Sequence, residues 1–160
     1  VYRYILGRKE KDHRVDDMTD IEKARALLLS EKTTIALCRG EDILTSEKRG
    51  IAPMLGFIKD GVDLDGYSAA DRIVGKAAAL LFVLVGIKNV YAEVLSESGA
   101  AVLHANSIPY SYGTLCDRII NRAKTGICPM EQAVTGTESP GEAYAALVKK
   151  VEELRNGGTR

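Results

Sequence analysis

A chain of 160 residues fits one domain and is long enough to bury a substantial core without disulfides or a structural metal. Twenty-two basic residues cancel twenty-two acidic ones, which excludes a strong net field toward nucleic acid or an anionic membrane. Three cysteines, Cys38, Cys116 and Cys128, with no Cys-x-x-Cys spacing, exclude a disulfide framework and a zinc ribbon and imply a reducing, cytoplasmic compartment.

Residues 1–17 carry Arg3, Arg8, Lys9, Lys11 and Arg14, diluted by Glu10, Asp12, Asp16 and Asp17, and read as a solvated arm. No signal peptide is evident, and the longest apolar run, Ala77 to Val85, falls short of the roughly 20 residues that span a bilayer, so no membrane is expected as partner. A single domain is expected over residues 18–155, followed by a fraying tail over 156–160.

Thr19-Asp20-Ile21-Glu22 is a capping-box pattern that opens a first helix, ending near Ser30, with Ile21, Ala24, Leu27 and Leu28 on one face. Thr33 to Cys38 and Ile43 to Ser46 are β-prone and flank Arg39-Gly40-Glu41-Asp42, which predicts a hairpin. Gly50 to Asp60 reads as a short helix with Pro53 in its first turn and Gly61 as terminator. Ser68 to Val85 reads as a long central helix, with Ser68 and Asp71 as another capping box and Gly86 as the stop. Asn89 to Leu95 alternates like a strand, with Val90, Ala92 and Val94 inward and Tyr91 and Glu93 outward. Ser96 or Ser98 then caps a helix through Ala105, Ile108 to Tyr112 follows as a strand, and Leu115 to Asn121 as a helical turn. Cys128-Pro129-Met130-Glu131 begins a short helix, and Ser139-Pro140-Gly141-Glu142 launches a last one with Ala143, Leu147, Val151 and Leu154 inward. The order predicts a three-layer α/β/α domain with a mixed β-sheet.

That order, with Ala69-Ala70-Asp71-Arg72 opening the central helix and a strand running into Leu95-Ser96-Glu97-Ser98, resembles the cytidine deaminase-like fold. Arg49-Gly50-Ile51, Asp71, Gly75-Lys76-Ala77-Ala78, Asn121-Arg122 and Gly126-Ile127-Cys128-Pro129-Met130-Glu131 more closely resemble a prokaryotic family of unassigned function that has this fold and lacks the zinc motif. The resemblance covers residues 19–150. Zinc deaminases place a His or Cys two residues before a catalytic Glu at the start of the central helix, and a Pro-Cys-x-x-Cys at the start of the next. Here Ala69 and Asp71 stand in the first motif, and Ser98 and Ala101 in the second. The resemblance therefore implies no metal and no cofactor, and a crevice near Asp71, Ser96, Glu97 and Ser98 for a small polar or nucleotide-like ligand.

Each candidate residue carries two readings. Asp71 is a general base or ligand contact, or else a helix cap. Lys76 lies five residues on, about 140° around a helix axis from Asp71, so the two diverge; it snorkels, or it presents an ammonium to an anion. Cys128 is the best nucleophile, its sulfur near a helix start with Arg122 and Lys124 close in sequence, or else a small buried hydrophobe. On that second reading Glu131 is a plain N-terminal helix acid, whereas Cys38 and Cys116 look like core. Asn121-Arg122 and Arg49 clamp a phosphate or carboxylate, or serve as surface ion pairs and loop ties. His104 reads as a surface or packed histidine, and Tyr110 and Tyr112 as a cross-sheet pair rather than a base-stacking platform.

The function expected is zinc-independent ligand binding, extending to acid/base or thiol chemistry through Asp71 and Cys128, with Lys76 and Arg122 neutralising an anion. The alternative is a non-catalytic interaction or regulatory module. Nucleic acid is disfavoured for want of a basic stripe interleaved with aromatics, and exposed strand edges make a homo-oligomer plausible.

Overall fold

The computed structural model describes residues 18–30 and 32–157, so the expected arm over residues 1–17 and the last three residues of the expected tail lie outside the described residues. Eleven elements follow in chain order: α1 (Asp20–Leu28), β1 (Ile35–Arg39), β2 (Asp42–Ser46), α2 (Ala52–Lys59), β3 (Ser68–Val74), α3 (Lys76–Val85), β4 (Asn89–Ser96), α4 (Glu97–Ala105), β5 (Tyr110–Cys116), α5 (Pro129–Ala133) and α6 (Pro140–Gly157).

The strands form one mixed sheet in the order β2-β1-β3-β4-β5. The hairpin forms as expected: β1 and β2 are antiparallel, with Arg39 opposite Asp42 and Gly40 at φ +61° in the two-residue turn. β1 is also antiparallel to β3, with Ile35 opposite Asp71. From there the sheet is parallel, β3 to β4 and β4 to β5. Parallel neighbours need crossovers, and α3 and α4 supply them on one face, packed against each other.

Strand alternation divides the core. Ile35, Leu37, Ala69, Val90 and Ala92 join α3 and α4, with Met54 of α2 and Ala143 and Leu147 of α6, in the larger cluster. Ala36, Cys38, Ala70 and Tyr91 join Ala24 and Leu28 of α1 in the smaller. Thr19 caps α1 by the expected box, its hydroxyl accepting from the Glu22 N–H while the Glu22 carboxylate accepts from the Thr19 N–H at 2.7 Å. The far end of α1 is held by Arg72 of β3, which donates to the carbonyls of Leu28, Ser30 and Thr33 and pairs with Glu93 at 3.0 Å.

Several expectations are corrected. Ser68 to Val74 is a strand and only Lys76 to Val85 is helical. A central strand paired on both sides and covered on both faces takes small residues and loses alternation, so Ser68-Ala69-Ala70 imitates a helix opening, while β-branched Ile73 and Val74 before Gly75 mark its true end. β5 runs Tyr110 to Cys116 as a continuous parallel partner of β4, where a shorter strand and a helical turn were expected. Tyr91 is buried rather than outward because α1 covers that face and Arg25 stacks on its ring at 4.4 Å. α6 continues through Gly157 instead of fraying at Asn156, and its Leu154 is about half exposed, not inward. No helix among the described residues is long and apolar enough to cross a membrane.

Candidate functional site

β3 runs directly into α3 and β4 into α4, so both first turns stand at the carboxyl end of the parallel strands, the place where open α/β sheets hold ligands. The two turns touch. A Cβ on Gly99 would lie 3.0 Å from the carbonyl carbon of Gly75 and 3.0 Å from the Val74 oxygen, so glycine permits the approach.

The first turn of α4 is finished locally. Ser96 is the N-cap, its buried hydroxyl accepting from the Gly99 N–H at 3.0 Å and lying 3.1 Å from the Ser98 hydroxyl. Glu97 and Ser98 are exposed beside it.

The first turn of α3 has no side-chain cap of its own, because its N-cap is Gly75. The donors are met from α5. One carboxylate oxygen of Glu131 accepts from the Lys76 N–H at 3.0 Å and the other from the Ala77 N–H at 3.4 Å. Gly75 has an ordinary φ of −104°, so it is required for space rather than for backbone freedom. A Cβ there would fall 1.9 Å from a Glu131 oxygen and 2.9 Å from Ile119. Burial raises the Glu131 pKa above its ordinary value, against the N–H groups of Ala77 and Lys76 and the Lys76 charge, which lower it. Desolvation thus outweighs hydrogen bonding at this carboxylate.

Lys76 turns away from the two first turns. Its ammonium pairs with Glu138 at 2.7 Å and donates to the Thr135 carbonyl at 3.4 Å, in the link between α5 and α6. That partner explains a lysine inside an apolar helix. Cys116 ends β5, opposite Ser96, rather than starting a helix. Its thiol pKa is raised by burial and by the negative charges of Asp117, Glu97 and Glu131, against a backbone hydrogen bond that lowers it, which disfavours its thiolate.

Asp71 does not open a helix. It lies in β3, buried, with its carboxylate accepting from the Ile73 N–H of the same strand at 3.4 Å. Burial pushes its pKa up to about 7, against the backbone donors of Ile73 and Arg72. Cys128 is the N-cap of α5, as its place before Pro129 suggested, but α5 is only five residues long and carries little of the dipole invoked for that sulfur. Its backbone N–H donates to Ile119 and so holds the loop that brings Glu131 inward. Asn121 closes its own turn, accepting from the Thr125 N–H at 2.9 Å and donating to the Thr125 hydroxyl at 3.0 Å. Arg122 and Arg49 are exposed, and His104 is a surface residue of α4. The structure thus gathers Ser96, Glu97 and Ser98 with Glu131 and Cys116, and leaves Asp71 within the strand. Among the described residues no three of His, Cys, Asp and Glu are grouped to hold a metal ion.

Residues 23–151 match the family described as TM1506, a domain of unknown function (DUF1893), and the chain belongs to that family. The chain is similar to the crystal structure of a DUF1893 family protein, TM1506, from Thermotoga maritima, with a TM-score of 0.75 and 21% identity over 89% of this chain and 92% of that one. At that identity the likeness is one of fold. No curated protein matches the chain.

Proposed function

We propose that this member of the DUF1893 family binds a small polar ligand, nucleotide- or base-like, at the carboxyl end of β3, β4 and β5, between the first turns of α3 and α4, without zinc. The observation that carries the reading is Glu131. In the deaminase-like fold that the sequence resembles, a carboxylate at the start of the central helix handles the proton. The structural correction moves that start from Asp71 to Gly75-Lys76, and the carboxylate found there belongs to Glu131.

Burial raises its pKa from the ordinary carboxylate value, the direction that favours a carboxylate acting as general acid or base. The exposed Ser98 hydroxyl and Glu97 carboxylate on the adjoining first turn of α4 supply the donors and acceptors that an amide or amidine edge of a base requires. The zinc-independent reading rests on residue types: Val74-Gly75-Lys76-Ala77 and Ser96-Glu97-Ser98-Gly99 contain neither Cys nor His.

A second reading has its own observation. Both Glu131 oxygens are engaged by backbone N–H groups and Gly75 is flush against them, which is also how a structural plug in a non-catalytic module would look. Calorimetric titration of nucleosides and nucleoside monophosphates separates the two. The ligand reading expects one class to bind the wild-type protein and to lose at least tenfold in affinity with Ser98→Ala or Glu131→Gln. Absence of binding across the panel, or binding indifferent to both substitutions, would establish the plug.

A further inference from the structure

The two edges of the sheet are built differently. β2 opens on Asp42 with Glu41 before it and is followed by Glu47, Lys48 and Arg49, the charges with which natural sheets discourage edge-to-edge pairing. Its last residues are also tied back, Thr34 donating its hydroxyl to the Ser46 carbonyl at 3.0 Å and again to that of Lys48.

β5 has none of these devices. Among the described residues it pairs on one side only, with β4. Tyr110-Ser111-Tyr112-Gly113-Thr114-Leu115-Cys116 contains no charge and no proline, and its five central residues are exposed. Tyr112 and Leu115 are each 44% exposed. The charges that follow, Asp117 and Arg118, pair with each other at 3.1 Å and leave the flank neutral. Ile120 and Ile127, in the loop beyond, are exposed as well.

We infer that β5 is the surface through which two copies of this chain associate, pairing antiparallel across a two-fold axis to continue the sheet. A strand edge offers alternating N–H and C=O groups that another strand satisfies, and an uncharged edge meets its own copy without like-charge repulsion. The natural place for the axis is Gly113, the middle residue of β5, because that register lets all seven residues of the strand pair with the other copy. Close approach to β4 already requires a glycine there, since a Cβ would lie 2.9 Å from the Glu93 carbonyl oxygen. In that register Tyr112 of one copy faces Thr114 of the other and Ser111 faces Leu115, an aromatic with a β-branched residue and a hydroxyl with an aliphatic, and no charges meet. Paired strands of this length lie toward the small end of specific interfaces, so the dimer is a reversible one.

Sedimentation equilibrium on the full chain, with hydrogen exchange at the β5 amides, tests this. The inference expects a concentration-dependent dimer, protection of β5 that rises with the dimer fraction, and at least a tenfold weaker association in Thr114→Lys, which sets two ammonium groups at diagonal positions on one face of the joined sheet. Lys48→Glu on the opposite edge should leave the dimer intact. Circular dichroism melting of Thr114→Lys at a dilution where wild type is also monomeric, expected unchanged, separates dissociation from unfolding. A monomer at all concentrations would overturn the inference. So would a dimer indifferent to Thr114→Lys, or β5 amides fully protected in a dilute monomer, which would show the strand edge covered within a single chain. None of these outcomes depends on ligand binding at Glu131.

Discussion

The first turns of α3 and α4 stand side by side, yet their exposed N–H groups are satisfied in opposite ways. α4 is capped by Ser96, three residues from its partner Gly99. α3 is capped by Glu131, 55 residues along the chain from Lys76, at the cost of burying a carboxylate and keeping Gly75 bare. A serine would have done the same task locally and without a charge. A remote carboxylate brought to the start of the central helix is the asymmetry on which the proposed site rests.

The largest effect is expected from Gly75→Ala. The new methyl would displace the Glu131 carboxylate and press on Ile119, losing the cap and straining the loop together, about 3 kcal/mol in urea unfolding. The same substitution in a Glu131→Ala background should cost much less, because the collision is with that side chain. Additive costs would break the comparison.

Glu131→Ala alone should cost about 2 kcal/mol, the loss of charge-assisted acceptors for two helix N–H groups. Glu131→Gln, which keeps an acceptor, should cost about half as much and change the pH dependence. The folded-state pKa of Glu131 lies above its ordinary 4.5, so the folded protein holds this proton more tightly than the unfolded chain. Its contribution is full below the ordinary value and is lost as pH rises through the folded one. Wild type should therefore lose stability relative to Glu131→Gln as the pH is raised through that window, followed by urea midpoints at several pH values. A difference that grows instead would mean a lowered pKa and an ordinary ion-paired carboxylate.

Ser96→Ala should cost about 1 kcal/mol, a typical N-cap, with no change in pH dependence. The smallest effect belongs to Glu138→Gln. Its carboxylate is 82% exposed, so the pair with Lys76 should contribute no more than about 1 kcal/mol and should weaken with salt.

The same contrast separates what was legible in the sequence from what was not. Local signals were readable: the capping box at Thr19, the Gly40 turn, Ser96 before α4, and Ser139 before α6, whose hydroxyl accepts from the Glu142 N–H. Ser96, Glu97 and Ser98 were placed correctly at a strand-to-helix turn because that turn is encoded within a few residues. β3 was misread because pairing with β1 and β4, a non-local fact, decides its conformation against an Ala-rich opening and a Ser-x-x-Asp coincidence. That error put Asp71 in a helix and hid the true helix start. Glu131 was passed over because nothing near it in sequence names Lys76 and Ala77 as its donors. One sign was available: a glycine opening a helix that lacks any Ser, Thr, Asp or Asn at its N-cap requires its donors to be met from elsewhere.

The most direct test of the central claim is a pair of native mass spectra, wild type and Glu131→Gln purified side by side, with circular dichroism showing both folded. The account predicts a small polar molecule retained by the wild-type protein, released on denaturation and depleted in the variant. Equal retention by both proteins, or none by either at any concentration of added nucleotide, would contradict it and leave Glu131 as a structural plug.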